Sequence, residues 1–170
     1  MVHTETSELT GSKTFLTQEA FLQEWLGHRR LTRKVIEAFP EDKLFSFSVG
    51  GMRTFAALAM EIIRMGAPGL RGIVTRKWQT MEEVEQEYPT PPTKKDLLDL
   101  WDQTTAAIVE LWPQISAERL QETDKVFGLY EGKVYWSILY FVDNEIHHRA
   151  QGFVYLRALG IEPPPFWDRY

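Results

Sequence analysis

Seven polar or titratable side chains interrupt an otherwise apolar stretch near the end of the chain. In FVDNEIHHRAQGFV they are Asp143, Asn144, Glu145, His147, His148, Arg149 and Gln151. Imidazole, carboxylate and amide groups gathered this closely suit two kinds of chemistry: proton transfer near neutral pH, or coordination of a divalent ion. Asn144 lies one helical turn before His148, so its amide oxygen and the imidazole can converge on one point. Glu145, three residues before His148, is placed almost as well. Asp143 and His147 form a second pair about 100° round the helix and are expected to face solvent or a neighbouring subunit. The chain has no cysteine. A disulfide, a thiolate zinc site and a cysteine nucleophile are all excluded, and a metal would need nitrogen and oxygen ligands.

Two further residues sit oddly among apolar neighbours. Glu61 follows Leu58 and precedes Met65 at the edge of an apolar stripe, where an ionised carboxylate is costly unless paired or coordinated. It either reaches water, pairs with Arg53 or Arg64, or acts as a ligand. His28 lies on the apolar row Phe21, Trp25, His28, Thr32, Val35, Phe39 and is expected to be a hydrogen-bonded core residue that lines a pocket at most. A glycine-rich phosphate loop, a Gly-x-Ser-x-Gly elbow and a His-Glu-x-x-His run are all missing.

The elements that must hold these residues read as helices. Thr17 is an N-cap, with Leu16 before it as a hydrophobic staple, for a first helix over 18–39 that Pro40 stops. Residues 41–51 connect to a second helix over 52–65, which Gly66 and Pro68 are expected to end. Residues 69–92 read as irregular, with one acidic helical turn over 81–87. Thr93 and Asp96 resemble a capping box for a third helix carrying Leu97, Leu100, Trp101, Ile108, Leu111 and Trp112, terminated or kinked at Pro113. A fourth helix runs over about 133–159, with Val134, Ile138, Phe141, Glu145, His148, Gly152 and Leu159 on its inward row; Gly160 and Pro163 to Pro165 stop it. No segment shows a convincing strand alternation. The expectation is an all-α four-helix bundle.

Composition narrows the partners. The 170 residues are 44% hydrophobic and 13% aromatic, which is enough for one core and too apolar for disorder. A net charge of -5 with no basic block argues against nucleic acid. No apolar run approaches a membrane span, and the polar start of the chain lacks a signal-peptide core, so a cytoplasmic location and no membrane partner are expected. One domain over 1–170 is expected, with residues 1–16 as a loosely held arm. The aromatic tail PPPFWDRY suggests a homodimer.

NEIHHRAQGFVYLRALGIEPP resembles the C-terminal signature of the DinB/YfiT-like proteins, His-x-x-x-His-Arg-Gly-Gln followed by Tyr-Leu-Arg and Gly-x-x-Pro-Pro. MRTFAALAMEIIRM is similar to the second helix of that family, where a further histidine stands. The resemblance implies a four-helix bundle of DinB/YfiT-like type with a long crossover connection, commonly dimeric. It also implies a divalent metal, such as nickel, zinc or manganese, on three histidines. Related members are thiol-dependent transferases or isomerases that use a low-molecular-weight thiol such as bacillithiol, mycothiol or glutathione.

This chain departs from that pattern. His148 is retained, Asn144 stands in place of the first histidine of the motif, Glu61 falls at about the second-helix histidine, and Ala150 replaces the motif glycine. The implied ligand set is therefore Glu61, Asn144 and His148, with His147 or Glu145 as substitutes for Asn144. Two oxygens and one imidazole are harder donors than three imidazoles and shift preference toward hard ions. Arg149 and Gln151 would orient the ligands or pin neighbouring helices, or Arg149 would serve a dimer interface; His147 would be a proton-transfer group. Two functions follow. One is a metal-dependent S-transferase, or a hydrolase-like enzyme, acting on a small molecule. The other is a metal-free structural or stress-response binding protein that kept the bundle and lost the chemistry.

Overall fold

The computed structural model describes residues 15–170, so the expected N-terminal arm, apart from Phe15 and Leu16, lies outside the described residues. In chain order the elements are α1 (Gln18–Ala38), α2 (Glu41–Leu44), α3 (Phe55–Thr75), α4 (Met81–Glu87), α5 (Lys94–Leu111), a 3-10 turn (Trp112–Gln114), α6 (Ala117–Gln121), strands β1 (Thr123–Val126) and β2 (Tyr130–Lys133), and α7 (Val134–Ala158). Mostly helical, the fold rests on four long helices, and no described helix is long and apolar enough to cross a membrane.

The caps explain where these helices start. Thr17 Oγ1 accepts the Ala20 N–H at 3.0 Å, and Thr93 Oγ1 accepts the Asp96 N–H at 3.1 Å. Thr80 and Glu83 form a reciprocal capping box that fixes α4. Helix α3 packs against α5 and α7, and α1 packs against the same two, so α1 and α3 sit on one diagonal of a four-helix ring. Two apolar clusters fill it. One is built around Trp25, Leu70, Ile108 and Phe141, and the other around Phe39, Phe55, Ile63, Trp101 and Tyr155.

Three expectations are corrected here. First, α3 does not end at Gly66 and Pro68 but runs on to Thr75, with Arg76 in the left-handed conformation (φ 60°) as its C-cap. Its small residues let bulky neighbours close in. A Cβ at Gly69 would stand 2.6 Å from the Phe141 ring, and one at Gly72 would stand 2.8 Å from Trp78 Cδ2. Burial of this small-residue face outweighs the backbone cost of its glycines and proline. Second, the connection after α1 contains the short helix α2. Third, β1 and β2 pair antiparallel, Thr123 opposite Lys133 and Val126 opposite Tyr130, as a hairpin leading straight into α7.

Candidate functional site

Helix α7 presents different chemistry to each neighbour. Toward α1 it sends Glu145, which is fully buried. Thr32 Oγ1 donates to Glu145 Oε1 at 2.6 Å and Trp25 Nε1 to Oε2 at 3.3 Å. Burial raises the Glu145 pKa, opposed by the nearby Arg29 charge, the Thr32 hydrogen bond and Arg149. With both oxygens held by α1, Glu145 does not substitute for Asn144 beside His148.

Arg149 lies between the same two helices. It donates to the His28 carbonyl at 3.3 Å and Thr32 Oγ1 at 3.2 Å, and its second nitrogen stands 3.0 Å from His28 Nδ1. Buried at 7% exposure, it pins α7 to α1. His28 meets Arg169 of the C-terminal tail on its other ring nitrogen, at 3.3 Å. Burial, Arg149 and Arg169 together hold its pKa down to about 4.

Toward α3, α7 sends Asn144 and His148, and α3 answers with Glu61. Asn144 Nδ2 donates to Glu61 Oε1 at 3.0 Å, and His148 Nε2 stands 2.9 Å from the same oxygen. Arg53, just before α3, pairs with Glu61 Oε2 at 2.5 Å. The structure thus brings together all three residues singled out by the sequence. His147 is exposed; its ring meets His148 edge-on, 5.1 Å between centroids, and makes no contact with Glu61.

The electrostatics follow from these contacts. The His148 hydrogen bond is the largest influence on Glu61; with Asn144 and Arg53 it outweighs partial burial and holds the carboxyl down to about 2. Burial opposes charge on His148, but its bonds to Glu61 and Gln151 prevail and raise its pKa. Both of its ring nitrogens face oxygens, Glu61 Oε1 and, at 3.0 Å, Gln151 Oε1, an arrangement that an imidazolium satisfies. Gln151 therefore orients the ring. Arg53, which the sequence offered only as one of two partners for Glu61, completes the cluster.

One atom remains unsatisfied. Asn144 Oδ1 is buried without a hydrogen-bond partner among the described residues. An orphan acceptor of this kind costs on the order of 1–3 kcal/mol unless something fills its lone pairs. Among the described residues no three His, Asp, Glu or Cys side chains cluster as a ligand set. Glu61 and His148 supply two such donors, and Asn144 Oδ1 is the third available atom. In donor type these residues fit a divalent ion; the Asn144 amide, which turns Nδ2 toward Glu61, would present Oδ1 there after a half-turn.

The profile of the DinB family matches residues 11–169. The chain belongs to the DinB family. It is 23% identical over 154 residues to the uncharacterized protein YrdA of Bacillus subtilis strain 168, across 88% of this chain and 87% of YrdA. Its fold is similar to that of a DinB-like protein from Bacillus cereus ATCC 10987, with a TM-score of 0.70, 22% identity, and coverage of 89% of this chain and 99% of the other. It is also similar to the DinB-like protein YjoA from Bacillus subtilis, with a TM-score of 0.68, 20% identity, and coverage of 88% and 98%.

Proposed function

We propose that this DinB-family protein is a cytoplasmic, metal-dependent enzyme whose ion is held between α3 and α7 by Glu61, Asn144 and His148. We read the ring of four long helices as the bundle of the family, with the connections that span its diagonals as the crossovers. The meeting of Asn144 and His148 on Glu61 Oε1, with the Asn144 Oδ1 buried and unpartnered among the described residues, carries the reading. Two oxygen donors and one nitrogen favour a harder ion such as manganese over nickel or zinc.

When bound, the ion supplies a Lewis acid that lowers the pKa of a thiol or water, or polarises a substrate oxygen. The residues of the chain prepare for this. His148 gives up its Nε2 proton and turns that lone pair toward the site, while Gln151 holds Nδ1 and fixes the ring plane. Arg53 helps His148 and Asn144 keep the Glu61 carboxylate ionised and holds it through Oε2, so that Oε1 faces Asn144 and His148. Likeness to thiol-dependent members suggests that the reaction is S-transfer from a low-molecular-weight thiol to a small molecule. A homodimer is part of the proposal; light scattering at micromolar concentration giving the 19.8 kDa monomer mass would contradict it.

A second reading has its own support. Arg53 and His148 pair with both oxygens of Glu61 without an ion, as a metal-free structural or stress-response binding protein requires. Elemental analysis of protein purified without an affinity tag separates the two. The metal reading expects about one equivalent of a divalent metal per chain, lost in His148→Ala. Wild type that neither carries nor takes up nickel, zinc or manganese would leave the metal-free reading.

A further inference from the structure

One turn along the bundle from Glu61 and Asn144 lies a cavity of about 140 Å³. Met65 of α3, four residues after Glu61, forms one wall. Tyr140 and Phe141 of α7, four and three residues before Asn144, form another, so cavity and polar cluster occupy adjacent turns of the same two helices. The hairpin closes the third side with Val126 and Phe127. Trp136 and Tyr140, stacked with centroids 6.3 Å apart, stand at the mouth, each about half exposed.

Three properties specify what this cavity takes. Among the described residues no charged side chain lines it, and the polar side-chain groups of its lining are hydroxyls and the Trp136 indole N–H. Its volume matches the roughly 150 Å³ apolar cavity that stays dry and accepts benzene. Its floor is strained: Phe127 is buried at 4% exposure with φ 53°, a conformation that costs a non-glycine residue on the order of 1 kcal/mol. Edge contact with Trp78 at 5.6 Å and tilted contact with Phe141 at 6.4 Å hold the ring there. A turn that needed only to reverse the chain would use Asn-Gly; here a phenyl ring is held in place as the floor.

We propose that this cavity binds one uncharged six-membered ring of the substrate, with the polar end of the substrate directed toward Glu61, Asn144 and His148. Assigning the ring site to the substrate rests on the reading of those three residues as the reactive centre; the ring site itself does not. An aromatic or cyclohexyl group fits the volume, and a fused bicycle does not. Ser137 Oγ, whose bond to the Lys133 carbonyl is a long 3.4 Å, is available to a single polar substituent on the ring.

The test is a fluorine NMR titration of the full chain in excess chelator, with fluorobenzene and 1-fluoronaphthalene as probes. The proposal expects saturable binding of fluorobenzene at one site and at least tenfold weaker binding of the larger, more apolar 1-fluoronaphthalene. Ser137→Leu, which fills the cavity, should lose fluorobenzene binding. Binding that increases with probe size, no saturable fluorobenzene binding, or unchanged binding in a folded Ser137→Leu would each overturn the ring site. If Ser137→Leu does not fold, the comparison of the two probes on wild type decides alone. The chelator removes metal from every arm, so failure of the ring site and failure of metal binding are read separately.

Discussion

Replacing Glu61 by Gln keeps the shape of the side chain and one acceptor oxygen but removes the charge shared by His148, Asn144 and Arg53. The carboxyl sits at about 2 instead of 4.5, which at about 1.4 kcal/mol per pH unit sets a ceiling of about 3.5 kcal/mol. The Glu61 side chain is 28% exposed and its Arg53 partner 55%. Solvent screening reduces the expected loss to about 1–2 kcal/mol. The sign follows from a depressed carboxylate. Its contribution is complete above about pH 4.5 and disappears as the pH falls through about 2, because the unfolded chain takes up the proton first. Urea denaturation of metal-free wild type and Glu61→Gln across pH 2–7 measures this directly. The curves should differ by about 1–2 kcal/mol at pH 7 and converge near pH 2, and the His148 pKa should fall in the variant. Equal stability at pH 7, or a gap that persists undiminished at pH 2, would refute the ion-pair account of the cluster.

Gly152→Ala should destabilise the fold by about 1–3 kcal/mol despite the better helix propensity of alanine, because its Cβ would stand 2.7 Å from Phe55 Cζ. A thermal melt with an unchanged or higher midpoint would contradict this. His28→Gln should flatten the loss of stability between pH 6.5 and 4. In that window the unfolded wild type binds a proton at His28 that the folded state, held at about 4 by burial and two arginines, refuses. Denaturation curves of wild type and variant that stay parallel across the window would count against it. His147→Ala should leave metal affinity nearly unchanged, since that ring is exposed and does not contact Glu61; calorimetric titration with manganese checks this.

Much of the candidate cluster was legible because helical spacing is a strong constraint. Once residues 134–158 are a helix, Asn144 and His148 must share a face, and the apolar stripe of the second helix puts Glu61 at its edge. Spacing alone could not decide between Asn144 and Glu145, which lie only 100° apart. The choice came from Thr32 and Trp25 on α1, whose donors claim both Glu145 oxygens across 113 and 120 residues of sequence. The caps Thr17 and Thr93 were readable because a cap is local.

Local signals misled where tertiary contacts outweighed them. Gly66 and Pro68 read as a stop, yet both are buried, and Gly66 faces Trp25 and Ile108. The hairpin went unseen because its strands have four residues each, carry charges, and turn through Phe127-Gly128 in place of a favoured turn pair. With the hairpin went the aromatic cavity it closes.

An anomalous-diffraction map from crystals soaked in a manganese salt at pH 7.5 tests the metal claim most directly. The account predicts one strong peak between α3 and α7, within bonding distance of Glu61 Oε1, His148 Nε2 and Asn144 Oδ1. That peak should be absent in His148→Ala. A map with no peak there, or an ion held only by other residues while Glu61 and His148 remain paired, would contradict it.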